Sequence, residues 1–340
     1  MLISVMVSSL VYEQRLHISA HNQTRKYELM LVCVTLVAAG GWVFTKNALI
    51  EFSPHIFLAI RFSLAAFILA FLCWSELKQL TKIQFYRAFG TGILLGLTLL
   101  LWILAVDQSD SIGEGAFIVS LTVVFVPLMG RLFFGDQLTI NLLLALLPAI
   151  SGLALLSLQV SEDQSFSFSF ERSHVYFLLS TIGFALHVIL TSRYGQKIPA
   201  MPLATTQLAA IGLVAFVSAL ISESWPQEIH AISWFWVLCS AVIATSLRFA
   251  LQTKALIYLN PSHATMIFML EPVWVAMLGA LFLTERMSDN QLLGCALIFS
   301  ALVVYRAPAF ITFWRRKSEI TCGGSVRTSK VEKSILLARS

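Results

Sequence analysis

Charge is what this sequence has least of. Charged residues fill only 12% of its 340 positions, and hydrophobic residues fill 58%. Soluble globular proteins carry about 25% charged and about 45–50% apolar residues. So little charge cannot cover a water-facing surface. A soluble enzyme is excluded, and so is a disordered or collagen-like chain. Cysteine is sparse too. Cys33, Cys73, Cys239, Cys295 and Cys322 are scattered, without a CxxC pair or a Cys/His cluster. Neither a disulfide framework nor a metal site is expected. The sequence also lacks a Gly-rich phosphate loop, a Walker pattern and a nucleophile–base arrangement. ATP-driven chemistry by this chain alone has no support, and no cofactor is implied. Met1–Val11 is apolar but short, with no basic start and no cleavage pattern. It reads as a lead-in and not as a signal peptide.

Long continuous apolar runs are what the sequence has instead, with a mean hydropathy of +0.81. A bilayer core takes about 20 apolar residues per spanning helix. A β-barrel would show short alternating segments. The runs lie near 29–49, 54–73, 87–106, 111–132, 139–159, 174–192, 202–222, 232–252, 260–283 and 289–307. They predict an all-α integral membrane protein with ten transmembrane helices. Its parts are a lead-in at 1–28, five-helix repeats at 29–159 and 174–307, and a basic tail at 308–340.

The net charge of +5 reports topology and not a nucleic-acid partner. With a cytoplasmic N-terminus, 19 Lys and Arg residues fall inside and three, Lys46, Arg172 and Arg286, fall outside. The inside set includes Arg248 and Lys254. This asymmetry predicts that both termini are cytoplasmic and suits a bacterial inner membrane. Trp74, Trp225, Trp234 and Trp314 fall near span ends, as an aromatic belt would.

Two stretches read alike. Ala105–Leu158 and Ala255–Ala307 each run through a helix end, a polar break, a long apolar helix, a short polar turn and a last apolar helix. Gly135-Asp136-Gln137-Leu138-Thr139 aligns with Thr284-Glu285-Arg286-Met287-Ser288 at an offset of 149 residues. That offset spans five helices, an odd number, so the second half must cross the membrane in the opposite sense. Inverted repeats of this kind supply two states of similar energy.

Gly40-Gly41-Trp42-Val43-Phe44-Thr45-Lys46, then Pro54 and Ala59-Ile60-Arg61-Phe62, resemble the first half of EamA-type members of the drug/metabolite transporter superfamily. Leu121–Pro127 resembles that family's fourth helix, and Leu270-Glu271-Pro272-Val273 with Thr284-Glu285-Arg286 resembles its ninth helix and following turn. The resemblance covers about 30–307. It implies ten helices, a central cavity between the halves, and movement of small metabolites, amino acids or drug-like compounds.

Some residues stand out within the apolar runs. Arg61 lies about seven residues into the second helix. It reads either as a contact for an anion at the cavity edge or as a structural charge. Glu271 falls near the middle of the ninth helix, where such transporters hold solutes and coupling ions. It reads as a protonatable site or as a structural acid held by a neighbour such as Arg61. Pro272 after it leaves the carbonyl of Phe268 free and bends the helix. Pro127 does the same on the fourth helix. Trp42, with Phe44, Trp102, Phe117 and Phe268, reads as cavity lining or as packed aromatic surface. His187 reads as a proton relay or as a buried histidine bonded to a neighbouring helix. Gly92 and Gly96 form a GxxxG packing face.

These features predict a secondary transporter that works by alternating access. Its partners would be a small-molecule solute, the lipid bilayer and a coupling proton or cation. The alternative is a membrane-embedded sensor or scaffold without transport, whose tail would carry the function. The topology is tested by single cysteines at Ser165 and Ser329 in a Cys-free background. They are expected to label from opposite sides of the membrane. Labelling of both from one side would remove the topology and the inverted repeat together.

Overall fold

Hydrocarbon offers a backbone no hydrogen bonds, so chains cross it as helices that satisfy their own N–H and C=O groups. The computed structural model describes residues 24–108, 118–157, 172–282 and 289–305, apart from 42, 46, 227 and 291. Among the described residues there is no strand. The helices are α1 (Thr24–Thr45), α2 (Pro54–Leu72), α3 (Lys82–Asp107), α4 (Ile118–Phe134) and α5 (Ile140–Ser157). They continue with α6 (Arg172–Gly195), α7 (Ala200–Ser222) and α8 (Ala231–Tyr258). Next comes α9, in two pieces (Pro261–Phe268 and Leu270–Phe282), and then α10 (Leu292–Tyr305). Of these, α1, α2, α3, α6, α7 and α8 are long and apolar enough to cross a membrane, while α4, α5 and α10 are shorter apolar helices.

The surface is apolar, and the largely apolar interior also holds fully buried polar side chains. Phe71 is 80% exposed, Ile221 82% and Leu132 74%, whereas Gln207, Thr191, Thr245 and Ser240 are wholly buried. Water would penalise that exterior. Lipid does not, and between helices it leaves small residues and polar contacts to do the packing. A Cβ on Gly92 would stand 2.6 Å from the Gln207 carbonyl, and one on Gly96 would stand 3.0 Å from Val214, so the GxxxG face of α3 lies directly on α7. Gly212 of α7 lies equally close to Ser63 of α2, and Gly152 of α5 to Gly294 of α10. Further contacts join α3 to α6, α4 to α6 and α2 to α8. Gly41 of α1 meets Ala244 of α8. Trp274 of α9 donates to Thr35 of α1 at 3.0 Å.

The helix ends show where hydropathy misplaces a boundary. α3 starts at Lys82, five residues before the expected 87. Thr81 and Gln84 form a capping box, in which the Thr81 N–H donates to Gln84 Oε1 at 3.0 Å and the Gln84 N–H to Thr81 Oγ1 at 3.3 Å. α8 runs to Tyr258, past the expected 252. That correction takes Lys254 into the helix, where Arg248 already stood within the expected span, so both leave the inside-loop tally; the remaining asymmetry has the same sign. α4 ends on Gly135, whose φ of 70° allows the Gly135 and Asp136 N–H groups to reach back to the Arg131 and Gly130 carbonyls.

Ion contacts pin both ends of the bundle. Glu223, after α7, accepts the His55 and Ile56 N–H groups at 2.9 Å and so caps the start of α2. Glu51, in the turn before α2, accepts the His230 N–H at 2.8 Å. That bond foremost, with one from Ser233, holds the Glu51 carboxyl below its ordinary range. Its contribution to stability is therefore present above the ordinary carboxylate range and is lost as pH falls through the lowered value. At the other end Arg193 of α6 donates to both carboxylate oxygens of Asp136, at 2.7 and 2.8 Å.

The α3–α7 contact gives a direct test. Gly92→Ala places a methyl against the α7 backbone and is expected to lower stability by roughly 1–3 kcal/mol. At Gly90 a Cβ would meet nothing within 4 Å, so Gly90→Ala should leave stability near that of the parent. Thermal unfolding in detergent compares the two, and equal effects would contradict this packing.

Candidate solute-binding site

The middle of α8 departs from an α-helix. Ser240–Leu247 forms a π-helix, in which Thr245 Oγ1 donates to the Ser240 carbonyl and Ser246 Oγ to the Ala241 carbonyl, both at 2.8 Å. Such segments are rare and recur at functional sites. Here the segment prepares a seat for a charge. The Thr245 hydroxyl hydrogen is committed to Ser240, so its lone pair is open to a donor. On α1, the Thr45 hydroxyl donates to the Gly41 carbonyl at 2.8 Å and is committed in the same way.

Arg61 of α2 occupies that seat. Its Nε donates to Thr245 Oγ1 at 2.6 Å, one terminal nitrogen donates to Thr45 Oγ1 at 3.1 Å, and the other donates to the Ala244 carbonyl at 3.4 Å. The Phe57 and Phe62 rings lie 5.6 Å from its central carbon. All three acceptors are neutral. Among the described residues no carboxylate pairs with Arg61.

Glu271 pairs elsewhere. Its Oε2 lies 3.6 Å from a terminal nitrogen of Arg248, and each side chain is about a quarter exposed, at 25% and 26%. Both residues stand ten positions from the turn joining α8 to α9, roughly 15 Å at 1.5 Å per residue. That is about half of a 30 Å hydrocarbon core. The break in α9 falls beside Glu271: the helix ends at Phe268 and resumes at Leu270. Pro272 cannot donate to the Phe268 carbonyl, which accounts for the interruption. Arg248 follows the π segment directly and lies one turn from Thr245, so α8 holds one cation and seats another. The Arg61 guanidinium, bonded to Thr245, therefore reaches α8 within about one helical turn of Arg248. Arg248 Nε and Gln252 Oε1, one turn apart, are buried without a hydrogen-bond partner among the described residues.

The other expected site residues are distributed differently. His187 is buried in α6, and its Nε2 lies 3.2 Å from Thr191 Oγ1. Gln207 of α7 donates to Thr191 at 2.9 Å and to Thr91 of α3 at 3.0 Å. This network ties α3, α6 and α7 together, and no hydrogen bond or ion pair among the described residues joins His187 to Arg61 or Glu271. Pro127 is buried inside α4. Trp42 lies outside the described residues, as do Phe117, Lys46 and the Thr284–Ser288 turn. Arg248, Thr245 and Thr45 are site residues that loop counting passes over. A polar stripe at 245, 248 and 252, with helical spacing in an apolar run, is the signal that marks them.

An apolar helical surface around charged residues at mid-depth describes a multi-pass membrane protein. The comparisons make the class explicit. The EamA-like transporter family model matches residues 25–158 and again 172–307, and the chain belongs to that family. It is similar to an uncharacterized transporter of Archaeoglobus fulgidus, 26% identical over 278 residues, which cover 82% of this chain and 84% of that one. It is also similar to the uncharacterized transporter YoaV of Bacillus subtilis, 21% identical over 86% of this chain and 99% of that one. A solved crystal structure shares the fold, with a TM-score of 0.71 over 85% of this chain and 99% of that one at 12% identity. The protein is a membrane transporter.

The Arg248–Glu271 pair yields a prediction. Arg248→Gln leaves Glu271 without this cation and is expected to cost roughly 1–2 kcal/mol, the exposure of both groups moderating the larger cost of a fully buried break. Arg248→Gln combined with Glu271→Gln should recover most of that loss. A double-mutant cycle in thermal unfolding checks it, and additive losses would show that the two charges do not interact.

Proposed function

We propose that the chain is a secondary transporter of small metabolites, amino acids or drug-like compounds, in which two inverted five-helix halves expose one central site to each side in turn. The observation that carries this reading is the pattern of helix contacts. Exchanging each helix with the one five places along turns α3–α7 into α2–α8, α3–α6 into α1–α8, and α4–α6 into α1–α9, and all of these contacts occur. The α2–α7 and α5–α10 contacts map onto themselves, as contacts on a pseudo-two-fold axis do. The twofold match of the family model supports the same division. Inverted repeats place solute and coupling-ion sites at mid-depth between halves, and the mid-depth Arg248–Glu271 contact, with Arg61 bonded to the same segment of α8, supports a site there. The charge asymmetry of the loops supports a bacterial inner membrane with both termini cytoplasmic.

In this reading Glu271 exchanges its Arg248 contact for a proton as the site changes sides, which couples transport to a proton gradient. Glu271→Gln keeps the shape and removes the charge. Export measured in cells that lack or overproduce the protein, by metabolite profiling and toxicity screening, identifies the moved solute. Transport of that solute by Glu271→Gln is expected to lose its dependence on pH while the protein folds normally. A parental rate and pH profile would exclude Glu271 from coupling.

A further inference from the structure

We propose that Arg61 and Arg248 together bind the carboxylate of a small organic monoanion, with Glu271 as the resident carboxylate that the solute displaces. This deepens the transporter reading and rests on it. The first argument is charge. Among the described residues, Arg248 contacts the Glu271 carboxylate and Arg61 has no counter-charge, which leaves one positive charge in a region where an uncompensated charge is costly. While Glu271 keeps its charge, before it takes up a proton, a solute with a single negative charge restores neutrality, whereas a phosphate dianion would overshoot it.

The second argument is hydrogen-bond capacity. A guanidinium carries five N–H donors in a planar fork that matches a carboxylate. Arg61 uses three of them, each on a neutral acceptor. Thr45, Thr245 and the Ala244 carbonyl thus hold the fork in place without neutralising it. Among the described residues two donors are left, enough for one carboxylate. The buried Nε of Arg248 has no partner among the described residues either.

The third argument is the looseness of the resident pair. Charge-assisted N–H···O bonds run at about 2.7–2.9 Å. Arg193 and Asp136, which pin two helix ends, meet that standard at 2.7 Å, whereas Arg248 and Glu271 stand at 3.6 Å. The Arg248 contact is thus longer than a close charge-assisted hydrogen bond, which leaves Arg248 room to meet a second carboxylate. The Phe57 and Phe62 rings beside Arg61 offer the apolar remainder of the solute a matching surface.

The test uses the full chain purified in nanodiscs. Acetate, benzoate and octanoate are titrated against their amides, with inorganic phosphate and chloride as further probes, and binding is read by calorimetry and by the shift in unfolding temperature. At least one carboxylate is expected to bind where its amide does not. Arg61→Gln and Arg248→Gln should each weaken it by about tenfold or more, and Arg61→Lys by less, since lysine keeps the charge and loses the fork. Glu271→Gln removes the competitor and should tighten binding, a change that a damaged fold would not produce. Amides binding as well as acids, preference for phosphate, no binding of any carboxylate, or parental affinity in both arginine variants would each overturn the proposal. Carboxylate binding without any solute crossing the membrane would instead remove the transporter reading and leave the site standing.

Discussion

Everything in this molecule answers to one constraint: a polar group carried into hydrocarbon must find its partner inside the protein. The threonine hydroxyls close on carbonyls of their own helices, and Gln207 spans two helices to reach Thr91 and Thr191. The same rule makes Arg61 conspicuous. Three bonds hold its guanidinium, none supplies a negative charge, and α8 departs from α-helical winding to provide two of the acceptors. A structural arginine would more economically pair with an acid, as Arg193 does with Asp136. Among the described residues Arg61 is a cation seated without a counter-charge, the feature on which the proposed carboxylate site rests.

Much of the fold was legible because lipid simplifies the sequence. Apolar runs marked the helices. The misplaced boundaries have local causes. Hydropathy stops at Lys82-Ile83-Gln84, yet the Thr81–Gln84 capping box begins α3 there. α8 continues through Arg248 and Lys254 because their charges break an apolar average without breaking a helix.

The site was legible in halves. Glu271-Pro272 and Arg61 stand out as polar residues in apolar surroundings. Arg248 was hidden, because a basic residue near an expected span end counts as topology. Its role depends on how far α8 continues and on a π segment that no propensity marks. The partnership between Arg248 and Glu271, in place of one between Arg61 and Glu271, follows from the α8–α9 turn, which sets both residues at one depth. His187 lies apart from that pair: it bonds Thr191 of its own helix, and Gln207 carries the link from Thr191 to Thr91.

The account stands or falls on whether one central site meets both sides of the membrane. Gln252 lies one turn from Arg248 on the same stripe of α8. Gln252→Cys in a Cys-free background, challenged with a membrane-impermeant thiol reagent from one side and then the other in oriented vesicles, reads this directly. Alternating access predicts labelling from either side, with each face protected by the transported solute. Labelling from one side only, in every condition, would contradict it.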